Sequence, residues 1–298
     1  MQRRSFLRTT GLAGGVLALS PKDIFASFLQ QPAYKIKMLR GDIGIFTEKG
    51  GTIGFYQSPD GYVVIDSQFA DSAAHAIEAL KKMKDQPFKF LINTHHHGDH
   101  TGGNIAFKDM VEHVVGHENC LVNYKRVTAA APEKQLYQDM TFGDSWKQKI
   151  GKESIRTYYF GAAHTNGDAI IHFENANIAH MGDLLFNQRP PVIDRTAGAN
   201  IKNWIQVLQK TQKTFDKDTL FIFGHSGNGA EVTGGKAELA AFEDYLKKLM
   251  DFTEEQIKAG KTKEEITKTK EIPGISWTGS GNERTIAAAY DELNPVKN

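Results

Sequence analysis

The chain has 298 residues, 40% of them hydrophobic and 10% aromatic, enough to bury a sizeable core in one large domain or at most two smaller ones. Its 36 Lys and Arg against 35 Asp and Glu leave a formal net charge of +1, which removes any bulk electrostatic argument for nucleic acid or an anionic membrane as partner. The single cysteine, Cys120, excludes an intramolecular disulfide, so the fold must rest on its core and on what its sites bind.

In chain order, the first segment stands apart. Arg3, Arg4 and Arg8 are followed by Thr9–Ser20, small and apolar without an acidic residue, the pattern of a signal peptide. Arg3-Arg4-Ser5-Phe6-Leu7-Arg8 resembles the twin-arginine export motif, with a general secretory signal as the alternative. The apolar run of about ten residues is too short to span a bilayer. Residues 1–31 are therefore expected to be a leader, with Ala18-Leu19-Ser20 and Phe25-Ala26-Ser27 as cleavage sites. The resulting expectation is one mature domain, 32–298, periplasmic or secreted, with the twin-arginine machinery as a partner and no stable membrane span.

From Tyr34 onward, β-like runs alternate with helical patterns, and no Pro- or Ser-rich linker divides them. Strands are expected at 44–47, 53–57, 62–66, 89–93, 111–116, 156–160, 169–173, 178–180 and 220–223. Helices are expected at 70–84, 117–131, 201–215 and 236–259. In the last of these, Leu239, Phe242, Leu246 and Leu249 share one face. Thr262-Lys-Glu-Glu265 reads as a capping box opening a short helix after Gly260.

Several apolar runs end on a His or Asp: His95 after Phe90–Thr94, His164 after Tyr158–Ala163, Asp183 after Ile178–Gly182, His225 after Phe221–Gly224 and Asp66 after Tyr62–Ile65. Strand ends of a rigid sheet hold ligands well. The run His95-His96-His97-Gly98-Asp99-His100 packs three imidazoles and a carboxylate, besides His96, into six residues. These are ligands for a borderline divalent ion such as zinc at about 2.0–2.2 Å. One ion cannot comfortably take all of them; two neighbouring ions completed by distant ligands can.

His95-His-His-Gly-Asp-His100-Thr-Gly-Gly, Gly161-Ala-Ala-His164-Thr-Asn-Gly-Asp, Gly182-Asp183-Leu-Leu-Phe and Gly224-His225 together resemble the ordered motifs of the metallo-β-lactamase superfamily, over roughly residues 40–230. The resemblance implies a four-layer αββα sandwich and a binuclear centre. His95, His97 and His164 would hold one metal, Asp99, His100 and His225 the other, and Asp183 would bridge. It also implies support from Asp66, and Asp168 is a candidate for a similar role. His96, at a variable motif position, is expected to point away from the metals. His75, His113, His117, His172 and His180 have no motif behind them, and Cys120 reads as a small buried residue.

Such a centre implies two Zn2+ ions, with iron or manganese as alternatives. A bridging hydroxide would cleave an ester, thioester, lactone or amide of a small-molecule substrate, oriented by Asp99 as the catalytic residue. Substrate contacts are sought in Phe55 and Tyr56, in a presumed mobile hairpin over 50–61, and in Arg189 and Arg195, which can grip a carboxylate. Antibiotic hydrolysis is an alternative function. Against it, Asp183 stands where the zinc β-lactamases carry cysteine or serine, and Phe186 stands where a drug-binding lysine would be; Gly182-Asp183-Leu-Leu-Phe186 is more similar to hydroxyacylglutathione hydrolases and lactonases. An iron-dependent oxidoreductase on the same fold is the other alternative, although diiron relatives generally show a Glu in the first motif. A metal-stabilised binding protein without turnover is a third.

Overall fold

The computed structural model describes residues 34–227, 229–277 and 279–295; the expected leader and its export motif lie outside the described residues. In the first half, β1 (Lys35–Arg40), β2 (Ile43–Thr47), β3 (Ile53–Ser58) and β4 (Gly61–Ile65) form a meander, each strand antiparallel to the next. Helix α1 (Ala70–Met83) then crosses over to β5 (Phe88–Ile92), parallel to β4, as parallel pairing requires. A one-turn helix α2 (Gly98–Thr101) leads to β6 (Val111–His117), and α3 (Glu118–Val127) to β7 (Met140–Phe142), completing a seven-stranded sheet. Helix α1 forms because Ala73, Ala76, Ile77 and Leu80 recur at spacings of three and four and bury one stripe. Asp71 in its first turn and Lys81 and Lys82 in its last complement the helix dipole.

The second half contributes β8 (Lys147–Ile150), β9 (Glu153–Tyr158), β10 (Ile170–Phe173), β11 (Ile178–His180), β12 (Phe186–Asn187), β13 (Leu220–Ile222), β14 (His225–Ser226) and β15 (Thr233–Gly234). Six of them form a sheet in the order β15-β13-β11-β10-β9-β8, while β12 pairs with β14. Four helices complete the chain: α4 (Ile201–Thr214), α5 (Lys236–Lys258), α6 (Lys263–Ile266) and α7 (Glu283–Leu293).

Ile45, Val63, Ile65 and Ile92 of the first sheet meet Ile155, Ile171, Phe173 and Ile222 of the second in one buried cluster, so the sheets pack face to face. Because side chains alternate along a strand, Tyr62 and Val64 point the other way and pack with Phe55 on Ile77 and Leu80 of α1. Ile170, Ala179 and Phe221 likewise pack on Trp204 of α4, Phe242 and Leu246 of α5, and Ile286 of α7. The arrangement is the expected αββα sandwich. No helix among the described residues is long and apolar enough to cross a membrane.

Some expected bounds move. The helix expected at 117–131 is shorter because His117 ends β6, and its Nδ1 accepts the Asn119 N–H at 3.1 Å as the cap of α3. Strand β9 starts earlier than expected and releases Tyr159 and Phe160. Strands β1 and β8 escape an apolar-alternation reading because they are edge strands carrying Lys35, Lys37, Arg40, Lys147 and Lys149, charges that discourage further pairing. The Thr262–Glu265 capping box forms as expected, Glu265 Oε2 accepting the Thr262 N–H at 2.8 Å.

The stretch 50–61 does end in a hairpin turn between β3 and β4, but its two aromatics are buried in the sheet. This stretch is β3, flanked by turns and paired on both sides, with Phe55 and Tyr56 buried on its opposite faces. Phe55 belongs to the core under α1, and Tyr56 packs between the sheets against Phe173, its hydroxyl accepting the Lys152 N–H at 3.2 Å. Neither aromatic ring is free to cover a substrate.

Candidate metal centre

The chain leaves the carboxyl ends of β4, β5, β9, β11 and β13 at Asp66, His95, His164, Asp183 and His225, and these ends converge. Open α/β sheets bind their ligands at such ends. Backbone bonds cross between the sheets there: Ala169 N–H donates to Thr94 O at 2.8 Å, and Thr52 N–H to Gly224 O at 3.0 Å.

Two groups of side chains result. In the first, His97 Nδ1 lies 3.1 Å from His95 Nε2 and 2.9 Å from His164 Nε2. Asp183 Oδ2 completes it, 3.4 Å from His164 Nε2 and 3.8 Å from His95 Nε2. In the second, His225 Nε2 lies 3.4 Å from His100 Nε2 and 3.1 Å from Asp99 Oδ2. Asp183 turns its other oxygen, Oδ1, to this group, 3.0 Å from His100 Nε2 and 3.4 Å from His225 Nε2.

These spacings fit a cation at each centre. Four ligands at about 2.0–2.1 Å around a tetrahedral ion stand about 3.3 Å apart. Asp183 Oδ1 is buried yet accepts no aligned hydrogen bond despite its two nitrogen neighbours. A buried carboxylate oxygen left without a hydrogen bond between two imidazoles is an atom that a cation would satisfy. Glycine is required where the backbone passes: a β-carbon at Gly51 would overlap the His100 ring, and one at Gly224 would overlap Asp183 Oδ1.

The electrostatics agree. Burial, then the cationic form of His100, holds His95 well below the usual imidazole range, and burial takes His164 down to about 3 despite Asp183. Both are therefore neutral, as ligation demands. Burial is the largest influence on His100 and His225 and opposes their charge, but the carboxylates together outweigh it: Asp183 and Asp66 lift His100 well above its usual range, and Asp183 and Asp99 lift His225 to about 9. Burial disfavours the Asp183 carboxylate, yet His225 and His100 hold its titration well below the usual range. A field that draws positive charge here suits divalent cations.

The supports extend outward. Asp66, fully buried at φ 60°, accepts from Thr94 N at 2.8 Å, Thr94 Oγ1 at 2.7 Å and His100 Nδ1 at 2.7 Å. Asp168 does not reach a ligand imidazole; it accepts from Thr165 N and Oγ1 at 2.8 and 2.6 Å, closing the turn after His164, and burial pushes it up to about 7. Three supports were not apparent in the sequence. His180 joins Thr52 O to the Gly182 N–H, Val192 O takes the His164 Nδ1–H at 2.8 Å, and Asp194 Oδ2 lies 2.9 Å from His97 Nε2. Asp194 stands beside Arg195, and in the sequence only the arginines of this stretch carry a substrate reading.

His96 is buried, has no hydrogen bond at either ring nitrogen, and sits outside both groups. Exposed His75 and His113 pair with Glu48 and Asp139, and His172 packs against Phe215. Cys120 is buried, as its helix position suggested. Arg195 is not poised for substrate: its Nη1 donates to Ala199 O at 2.8 Å and Glu292 Oε2 at 2.9 Å, tying a loop to α7. Arg189 is exposed.

Among curated relatives, the chain is 24% identical over 225 residues to a metallo-beta-lactamase type 2 of Elizabethkingia meningoseptica, covering 70% of this chain and 86% of that protein. It is 22% identical over 159 residues to the 2,4-dinitroanisole O-demethylase subunit alpha of Nocardioides sp., covering 52% of this chain and 48% of that one. It is 27% identical over 119 residues to a hydroxyacylglutathione hydrolase of Pelagibacter ubique, covering 38% of this chain and 44% of that one. The match thus spans under half the length of these last two. Among solved structures, a double mutant of the sec-alkyl sulfatase PisA1 superposes with a TM-score of 0.69 at 13% identity, covering 87% of this chain and 50% of that one. A metallo-beta-lactamase from Pontibacter korlensis superposes with a TM-score of 0.59 at 21% identity, covering 72% and 99%. These structures speak for the fold. The profile described as the metallo-beta-lactamase superfamily, whose members are mostly hydrolases, matches residues 47–225, more than half of the chain, and with the fold and the ligand geometry in place the chain belongs to that superfamily.

Proposed function

We propose that this chain is an exported binuclear zinc hydrolase acting on an ester, thioester, lactone or amide of a small molecule. The observation that carries the reading is the pair of ligand groups meeting at Asp183, with neighbouring donor atoms 2.9 to 3.8 Å apart. His95, His97 and His164 would hold one ion, Asp99, His100 and His225 the other, and Asp183 both. Imidazole-rich sets favour zinc over manganese, and the first motif carries Asp99 and no Glu, unlike the diiron pattern. When bound, two such ions would supply a hydroxide near neutral pH and a Lewis acid for the carbonyl oxygen. Asp99, whose side chain is 30% exposed, faces solvent at the edge of the second group, where it would orient the attacking water and take its proton.

β-Lactam hydrolysis is the second reading, favoured by the similarity to the Elizabethkingia protein. Against it as the main role, Phe186 is 1% exposed and stacks on His225 at 5.2 Å, so this position offers no cation to a drug carboxylate. Arg189 is the remaining candidate for that task.

Residues 1–31 serve in this reading as a twin-arginine leader, leaving 32–298 as one periplasmic or secreted domain. Replacing Arg3 and Arg4 by Lys should abolish export; continued periplasmic accumulation would argue for the general route. The catalytic reading is tested on mature protein purified without added metal. We expect two zinc ions per chain and turnover within a panel of thioesters, lactones, esters and nitrocefin-like lactams. Stoichiometric iron with oxygen consumption would replace it with the oxidoreductase alternative, and zinc-loaded protein inert on the whole panel would leave a binding protein.

A further inference from the structure

The segment between β12 and α4 touches two of the three imidazoles of the first group from outside. Val192 O accepts the His164 Nδ1–H at 2.8 Å, and Asp194 Oδ2 sits 2.9 Å from His97 Nε2. The same stretch returns to His164 through its backbone, Asp194 N–H donating to His164 O at 3.3 Å. Asp194 is itself held: its other oxygen accepts from Thr196 Oγ1 at 2.6 Å and Ala197 N at 3.1 Å.

This strap is fastened to the last helix. Thr285 Oγ1 donates to Pro191 O at 2.9 Å, and Glu292, its side chain only 7% exposed, accepts from Arg195 Nη1, Ile201 N and Lys202 N at 2.8 to 3.0 Å. Both partners belong to α7, beyond the region matched by the family profile, which ends at 225.

We propose that Asp194 is a positioning residue for the first ligand group: by accepting the His97 Nε2–H it fixes the tautomer that turns the Nδ1 lone pair toward His95, His164 and Asp183, and α7 holds the strap that places it. A neutral imidazole carries one N–H, and an acceptor at one nitrogen decides which nitrogen is left to bind an ion. A carboxylate there also makes the ring a stronger donor. His97, Asp194 and His96 do not form a further ion site in this reading: with Nδ1 turned to the first group, His97 would have to lose its last ring proton to serve a second ion through Nε2.

The inference rests on the reading of His95, His97, His164 and Asp183 as ligands of one ion. The test is a zinc titration against a chromophoric chelator on full mature protein, with cobalt(II) absorption as a spectroscopic readout of each group. Asp194→Asn keeps the shape of the side chain and should weaken one of the two ions by about 10–100-fold, with the other unchanged. Thr196→Val removes one of two bonds to the other carboxylate oxygen, keeps that from the Ala197 N–H and leaves His97 its partner; it should weaken the same ion far less than Asp194→Asn does. If Asp194→Asn holds both ions with native affinity, or if Thr196→Val weakens the same ion as much, Asp194 has only a structural role and the proposal falls. Should the native chain itself take up fewer than two ions, the binuclear reading fails first, and this inference with it.

Discussion

The two ligand groups share Asp183 and differ in what stands behind them. Behind the second is Asp66, completely buried at the end of β4, its oxygens divided among Thr94 and His100 on the loop that follows the neighbouring strand β5. Behind the first is Asp194, its side chain 16% exposed, on a strap held by backbone bonds to His164 and Asn166 and by its contacts with α7. One support is made by adjacent strands whose pairing is fixed by the sheet; the other is made by a loop and a helix from the end of the chain. Substitutions near the second group should therefore disturb fold and metal together, and those near the first metal alone.

The largest expected effect is at the solvent-facing edge of the second group. Asp99→Ala should lower turnover about 10²–10⁴-fold while the first ion stays bound, measured as kcat beside metal content. Near-native kcat would remove Asp99 from the reaction. Next comes Asp66→Ala, which strands the buried His100 Nδ1–H and the Thr94 donors. Urea unfolding should show a loss of about 3 kcal/mol, together with depletion of the second ion. A stability loss no larger than that of a surface change would break the contrast between a core-built and a loop-built support. The smallest effect is expected for Arg195→Ala. Its ion pair with Glu292 is partly exposed, and Glu292 keeps the Ile201 and Lys202 N–H groups, so thermal melting should register less than about 1 kcal/mol. A larger loss, with weaker zinc binding, would mean that this pair is the strap's main fastening.

Much of this was legible because it is local. Short apolar β-like runs located β3, β4, β11 and β13 nearly to the residue, and helical spacing located α1, α4 and α5, since both signals are written along the chain itself. His95 to His100 are close in space because they are close in sequence, and a single turn of helix, α2, carries Asp99 and His100. His164, Asp183 and His225 announced themselves by standing just past β-like runs. Phe55 and Tyr56 misled because a strand buried on both faces reads like an aromatic loop near glycines; only pairing with β2 and β4 between two layers distinguishes them. Asp194, Val192 O and His180 were invisible for another reason. A carbonyl carries no sequence signal, and a lone carboxylate or imidazole gains its role from a partner 97 residues away, as for Asp194 and His97. The candidate ligand types and the strand ends that carry them could be read along the chain, because covalent spacing and side-chain period are local. The division into two groups, the two-sided exposure of Asp183 and the clamp behind His97 were decided by the packing of one sheet on the other, which alone brings those ends to hydrogen-bonding distance.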